Sequence, residues 1–267
     1  MKKYYSFFKT RFACGLQYRM ASVSAVTTQF LWGLMECLAY KALQESSAAG
    51  LPMDYSAIVS YIWLKEAFLV LFNTWAADND IFSMIMDGGI AYEMCRPVSL
   101  YDMWYARTLG GRMALAALKC GPVLALAFLV PAPYKMGAPA SFPALLLFLL
   151  TMLLGTGVTA AFCMLVYFLS FFTISPQGWK MLLTGAVDFL SGAVIPLPFV
   201  PKPWRRVLEL LPFASMQNVP FRIYSGDLAG GEMVRAIGLQ VFWLCALILC
   251  GKLICRKAQR RVVVQGG

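Results

Sequence analysis

Residues 143–172 read PALLLFLLTMLLGTGVTAAFCMLVYFLSFF, a run without one charged side chain. A helix needs roughly 20 apolar residues to cross the hydrocarbon core of a bilayer, so this run is long enough to cross with tilt to spare. The rest of the 267-residue chain has the same character. It is 60% hydrophobic and 13% charged, with a mean hydropathy of +0.67. Soluble domains carry about 25% charged residues, so most of this surface is expected to face lipid. The net charge of +10 could suggest nucleic acid. The cations gather at the ends of apolar runs, however, and form no basic stripe interleaved with aromatics, so no nucleic-acid partner is expected.

Six spans are expected, at about 23–43, 55–75, 107–130, 143–172, 178–196 and 235–254. Residues 2–19 mix aromatics with Lys2, Lys3, Lys9, Arg11 and Arg19. Tyr5, Phe8, Phe12 and Leu16 share one side of a helix there, which suits a helix lying in the headgroup layer. A cleaved signal peptide fits poorly, because the apolar run that follows is too long and no small-residue cleavage site closes it. The basic flanks set the orientation. Cations cluster in the first segment, in the loop after span two (Arg96, Arg107, Arg112) and in the tail (Lys252, Arg256, Lys257, Arg260, Arg261). Both termini are therefore expected on the cytoplasmic side of a bacterial inner membrane. Lys202, Arg205, Arg206 and Arg222 run against this rule, since they fall in a loop expected outside.

Two connections are unusual. The cytoplasmic segment DNDIFSMIMDGGIAYEMCRPVSLYDMW, residues 78–104, has a short helical pattern at Ile81, Met84 and Ile85. A turn at Gly88–Gly89 and a second short helix ending before Pro97 follow. Such an element suits docking onto a cytoplasmic partner, or it merely connects two spans. The outer segment, residues 196–234, is too apolar for an ordinary loop. Pro196, Pro198, Pro201 and Pro203 surround Phe199 and Trp204, and VLELLPF continues as a short apolar helix ending at Pro212–Phe213. Prolines break the chain there with fewer orphaned N–H groups, which predicts a re-entrant or interfacial hairpin.

A charge at the centre of a bilayer costs about 2.5–3.5 kcal/mol on insertion scales, so charges inside the runs need a reason. Glu36 shares a face of span one with Gln29, Lys65 and Glu66 lie within span two, and Asp188 lies within span five. Gln29, Glu36, Lys65 and Asp188 could line a polar path; Glu36 and Lys65 could instead pair and fix the packing of two helices. Thr151, Gly155 and Thr159 recur at every fourth residue of span four, the pattern of a small-residue packing face. The chain contains no histidine, which removes histidine-based catalysis and metal ligation. Its eight cysteines form no C-x-x-C pair and read as free thiols.

These two connections, in this order, resemble those of ABC-2 type transporter permeases. The likeness is to the branch whose inner loop reads approximately G-x-I-A-x-x-L-x-R-P. Here the loop is Gly89-Ile90-Ala91-Tyr92-Glu93-Met94-Cys95-Arg96-Pro97, and an internal methionine replaces the usual leucine. The outer match rests on Gly192, Pro196, Pro198, Pro201, Trp204, Leu211, Pro212, Phe213, Pro220, Tyr224 and Gly226. The resemblance covers essentially the whole chain and implies a single all-α transmembrane domain, 1–267. It implies a cytoplasmic coupling segment at 78–104, with Asp80, Ile81, Ile85, Gly88, Gly89, Tyr92, Arg96 and Pro97 meeting an ATPase. It implies two permease subunits on two ATPase subunits, ATP and Mg on the ATPase, no cofactor on this chain, and an outer hairpin capping an export path. In keeping with that division, no G-x-x-x-x-G-K-[ST] phosphate loop occurs in the sequence. An ion- or proton-coupled secondary transporter using Glu36 and Asp188, and an intramembrane enzyme, are the competing classes. The lack of a clear inverted repeat weighs against the first, and the lack of histidine against the second.

Overall fold

The computed structural model describes residues 2–17, 19–46, 50–75, 78–173 and 176–261. Within them the chain is helical and no strand occurs. In chain order the helices are α1 (Lys2–Gly15), α2 (Arg19–Ser46), α3 (Tyr55–Ala67), α4 (Leu69–Phe72), α5 (Asn79–Met86) and α6 (Ile90–Met94). Then come α7 (Leu100–Leu129), α8 (Phe142–Leu169), α9 (Pro176–Leu190), α10 (Lys202–Leu210), α11 (Asn218–Ser225) and α12 (Gly230–Gln259). Single 3₁₀ turns at Ser170–Phe172 and Leu197–Phe199 extend α8 and lead into α10.

Among the described residues three helices, and not six, are both long and apolar enough to cross a membrane. They are Leu100–Leu129, Phe142–Phe172 and Gly230–Gln259. At about 1.5 Å per residue each reaches about 45 Å, beyond the hydrocarbon core at one end or both. The three other expected spans miss those limits for separate physical reasons. Helix α2 has 28 residues, but Thr27, Thr28, Gln29 and Glu36 dilute its hydropathy. Span two is broken at Phe68, where the backbone leaves helical geometry, so α3 and α4 are separate pieces. Helix α9 has only 15 residues. Residue 18, within the expected interfacial segment, and residues 262–267 of the tail lie outside the described residues.

Helix α8 is the hub. It packs against α12 along its length and against α11 and α7. The face carrying Thr151, Gly155 and Thr159 is buried, and each threonine hydroxyl is returned to its own helix: Thr151 to Leu147 O, Thr159 to Gly155 O. With no free hydroxyl, this face can lie against backbone. A Cβ on Gly155 would come within 2.1 Å of Met216 O, so only glycine allows the turn before α11 to approach this closely. Gln240 of α12 closes the junction, donating from Nε2 to Thr151 O and to Ser215 O at 3.2 and 2.8 Å.

Aromatic rings fill one end of the bundle. Trp104 of α7 stacks on Phe168 of α8 with centroids 5.3 Å apart, and Tyr167 meets Phe82 of α5 edge-on at 5.1 Å. Helix α1 lies along the first half of α7, with Phe8 packed so closely on Gly110 that a side chain there would strike Phe8 O. Tyr5, expected on the apolar side of this helix, is exposed. Large apolar side chains also remain uncovered on α2 (Val23, Leu31, Met35, Leu38), on α9 (Met181, Leu182, Phe189) and on α12 (Val241, Phe242, Leu249). Such faces are at rest only in an apolar medium or against another apolar surface.

Candidate functional site

The segment at 78–104 forms two short helices around a glycine turn. Asp78 caps α5, its Oδ1 accepting from Asp80 N at 3.1 Å, which satisfies one orphan donor of the first turn. Gly88 turns the chain with φ of 75°, a left-handed conformation that favours glycine. Ser99 then caps α7 by accepting from Asp102 N.

One side of this segment is fastened to the bundle. Ile81 and Ile90 are fully buried among Leu100, Trp104, Met164, Tyr167 and Phe168. Arg107 of α7 donates from Nε to Asp78 Oδ2 at 2.7 Å and from Nη2 to Asp80 Oδ2 at 2.8 Å. Arg11 of α1 lies 3.5 Å from the same Asp80 carboxylate. Asp78 N donates to Tyr167 Oη at 2.7 Å, and Lys180 of α9 donates to Asn79 Oδ1 at 2.9 Å. Helices α1, α7, α8 and α9 therefore all hold α5. The opposite side is bare: Met86, Tyr92 and Met94 are exposed, Tyr92 by 82%.

The residues expected to meet a partner divide accordingly. Ile81 is an anchor and reaches no surface; Ile85 packs partly against the aromatic cluster. Asp80 is exposed yet held by Arg107 and Arg11. Gly88, Tyr92, Arg96 and Pro97 lie on the surface, and Gly89 opens α6. Arg96 pairs loosely with Glu93 at 3.6 Å and lies over the Phe7 ring. Met86 and Met94 belong to the bare side as well. Met86 carried a signal, since the fifth residue after the buried Ile81 falls well round α5 from it; Met94 carried none, because the fourth residue after the buried Ile90 shares its face on a regular helix.

The polar residues of the spans do not converge. Lys65 bonds both carboxylate oxygens of Glu36, linking α3 to α2, and lies 3.5 Å from Glu66. Gln29 is buried one face-repeat away with its Oε1 lacking a donor. Asp188 instead accepts from Trp75 Nε1. Glu36 and Asp188, the pair a proton-coupled path would share, therefore have separate partners. Glu66 belongs with the Glu36–Lys65 pair; its place beside Lys65 in the sequence hid this, because neighbours on a helix point apart.

Arg112, expected among the cytoplasmic loop cations, is buried. Its Nη1 donates to Val70 O, Leu71 O and Asn73 O at 2.9, 3.1 and 2.8 Å, and its Nη2 lies 3.3 Å from Cys163 Sγ. It satisfies the open carbonyls where α4 ends. This cation reports a tertiary cap rather than a membrane side.

In the hairpin, Pro196, Pro198 and Pro212 are buried and Pro201 precedes α10. Phe213 meets Phe162 of α8 edge-on at 5.6 Å. Helix α10 exposes Trp204, Val207 and Leu210 on one side and turns Arg205 and Glu209 to the other. Arg222 of α11 is buried and donates to Glu209 Oε1 at 2.9 Å and to Asp227 Oδ2. Burial pushes the Glu209 carboxyl up, but hydrogen bonds and charge from Arg205 and Arg222 outweigh it and hold it below the usual carboxylate range.

Two comparisons bear on this arrangement. A family model described as ABC-2 family transporter protein matches residues 56–266, which takes in α5, α6, the hairpin and all three long helices. No curated protein matches the chain.

Proposed function

Because the chain belongs to the ABC-2 family of transporter proteins, we propose that it is the membrane-spanning permease subunit of an ATP-binding-cassette exporter. Two such subunits, identical or related, sit on a pair of ATPase subunits that bind ATP and Mg. The membrane is the bacterial inner membrane and both termini are cytoplasmic. Six segments cross it: α2, α3 with α4, α7, α8, α9 with the turn after it, and α12. The three less apolar crossings are supported by their outer faces. The bare apolar side chains of α2 and α9 call for lipid or a second subunit. Gln29 of α2 is buried and Glu36 is turned to α3, where Lys65 neutralises it.

The observation that carries this reading is the two-sided build of α5–α6. Its inner side is tied by ion pairs and buried isoleucines to α1, α7, α8 and α9; its outer side offers Met86, Tyr92 and Met94 to the cytoplasm. An ATPase that gripped the outer side and closed would move those helices as packed bodies, because Arg107 and Tyr167 leave α5 little freedom to slide. The outer hairpin caps the path at the far end.

The test is ATP hydrolysis by the assembled complex in proteoliposomes. An exposed aromatic in a small interface is a typical energetic centre, worth roughly 2 kcal/mol or more. Tyr92→Ala should reduce permease-dependent hydrolysis by about tenfold or more while leaving the unfolding temperature of the permease unchanged. Unaltered hydrolysis in this variant would remove α5–α6 from the coupling role.

A further inference from the structure

Beneath the charged side of α10 lies a cavity of about 750 Å³, closed by α11 and the first turns of α12. That volume falls within the range of small-molecule sites. Five cations line it (Lys202, Arg205, Arg206, Arg222 and Arg235), against two carboxylates, Glu209 and Glu232.

The pairing within this wall is uneven. Glu209 holds Arg205 and Arg222, and Asp227 holds Arg222 from behind. Among the described residues Lys202, Arg206 and Arg235 have no ion pair, and Glu232 is the one lining carboxylate left to face them. A concave wall with surplus positive charge attracts anions more strongly than the same charges on a flat surface. Asn218 is 1% exposed, lines the cavity and has no donor for its Oδ1. Its amide can receive a ligand hydroxyl or, turned over, donate to an oxyanion.

The position selects the kind of anion. Leu210 and Leu239 form part of the lining, and the same two helices carry bare apolar side chains outside the cavity, Trp204 and Val207 on the other side of α10 and Phe242 on α12. Polar floor and apolar rim meet at one end of α12, the end opposite its basic last turns with Arg256 and Lys257. Aromatic side chains with one apolar and one wet edge mark the headgroup level of a bilayer.

We propose that this cavity binds a phosphate-bearing headgroup, with Arg206, Arg235 and Lys202 receiving the phosphate oxygens and Asn218 an adjacent polar group. The paired Arg205–Glu209–Arg222 floor holds the cavity open. Lys202 and Arg206, two of the cations that contradict the charge rule for an outer loop, thereby share a ligand with Arg235 of α12. This inference stands apart from the coupling role of α5–α6, since it concerns the other end of the molecule and needs no ATPase.

Native mass spectrometry of the full chain in a neutral detergent tests it, with phosphatidylglycerol and phosphatidylcholine offered in competition. The wild type should retain phosphatidylglycerol selectively. Arg206→Gln combined with Arg235→Gln should weaken retention by roughly fivefold for each cation removed. Both side chains are exposed and unpaired, so the unfolding temperature should stay put. Arg256→Gln with Lys257→Gln, at the opposite end of α12, should retain the lipid. Displacement by inorganic phosphate would identify the phosphate itself as sufficient; resistance to it would identify the intact lipid as the ligand. Equal retention by the pocket variant and the wild type, loss in the tail variant alone, or no preference over phosphatidylcholine would each overturn the proposal.

Discussion

Gly155, Arg112 and Arg222 show how much of this fold depends on single side chains at points of backbone contact. At Gly155 the obstacle to any larger residue is the carbonyl of Met216, which belongs to a turn held by Gln240 and cannot swing aside. Overpacking typically costs about 1–3 kcal/mol, and a rigid backbone neighbour places Gly155→Val at the upper end. Thermal unfolding in detergent should show that loss. Gly238→Ala, at an open position inside α12, should change stability little or raise it slightly. Equal effects at the two positions would contradict the close approach of the hairpin to α8. The small-residue face around Gly155 was visible in the sequence because helical spacing is a local property. The roles of Arg112 and Arg222 were not visible, because what they bond to lies 39 to 51 residues away for Arg112 and on either side of a turn for Arg222. Counting cations along a chain assigns every arginine to water or headgroups, and these two are in neither place.

At the scale of elements, the two short helices around Gly88–Gly89 were legible, since a turn glycine and two apolar patterns lie within a few residues of each other. The break at Phe68 was not, because residues 55–75 keep their hydropathy through it and the carbonyls freed at the end of α4 are answered by Arg112 from another helix. The contact between α2 and α3 depends on a buried ionic group, Glu36–Lys65–Glu66. Removing one partner of a buried pair costs about 3–5 kcal/mol, because the remaining charge is left uncompensated. Lys65→Met leaves two carboxylates together and should fall in that range by thermal unfolding. Glu36→Gln leaves Lys65 with Glu66 and should cost clearly less. A Glu36→Gln variant that unfolds like the wild type while transport is lost would instead assign Glu36 to the path.

Across the whole molecule the features separate by end. One end of the bundle holds the α5–α6 platform, the aromatic cluster of Trp104, Tyr167 and Phe168, and the basic last turns of α12. The other holds the proline hairpin and the cationic cavity. Composition alone indicated a membrane protein, and one apolar run at 143–172 indicated helices. The count of crossings is less legible: among the described residues three helices meet the length and hydropathy of a span, while α2, the α3–α4 pair and α9 are polar, broken or short. In the proposed transporter α5–α6 delivers the work of a separate ATPase to the helices of this chain. A photo-reactive amino acid at position 92, activated in membranes of cells that also produce the native ATPase, tests it most directly. A cross-link to a polypeptide carrying a G-x-x-x-x-G-K-[ST] phosphate loop, at a position outside that loop, is expected. Cross-links to lipid alone, or to no nucleotide-binding protein, would contradict it.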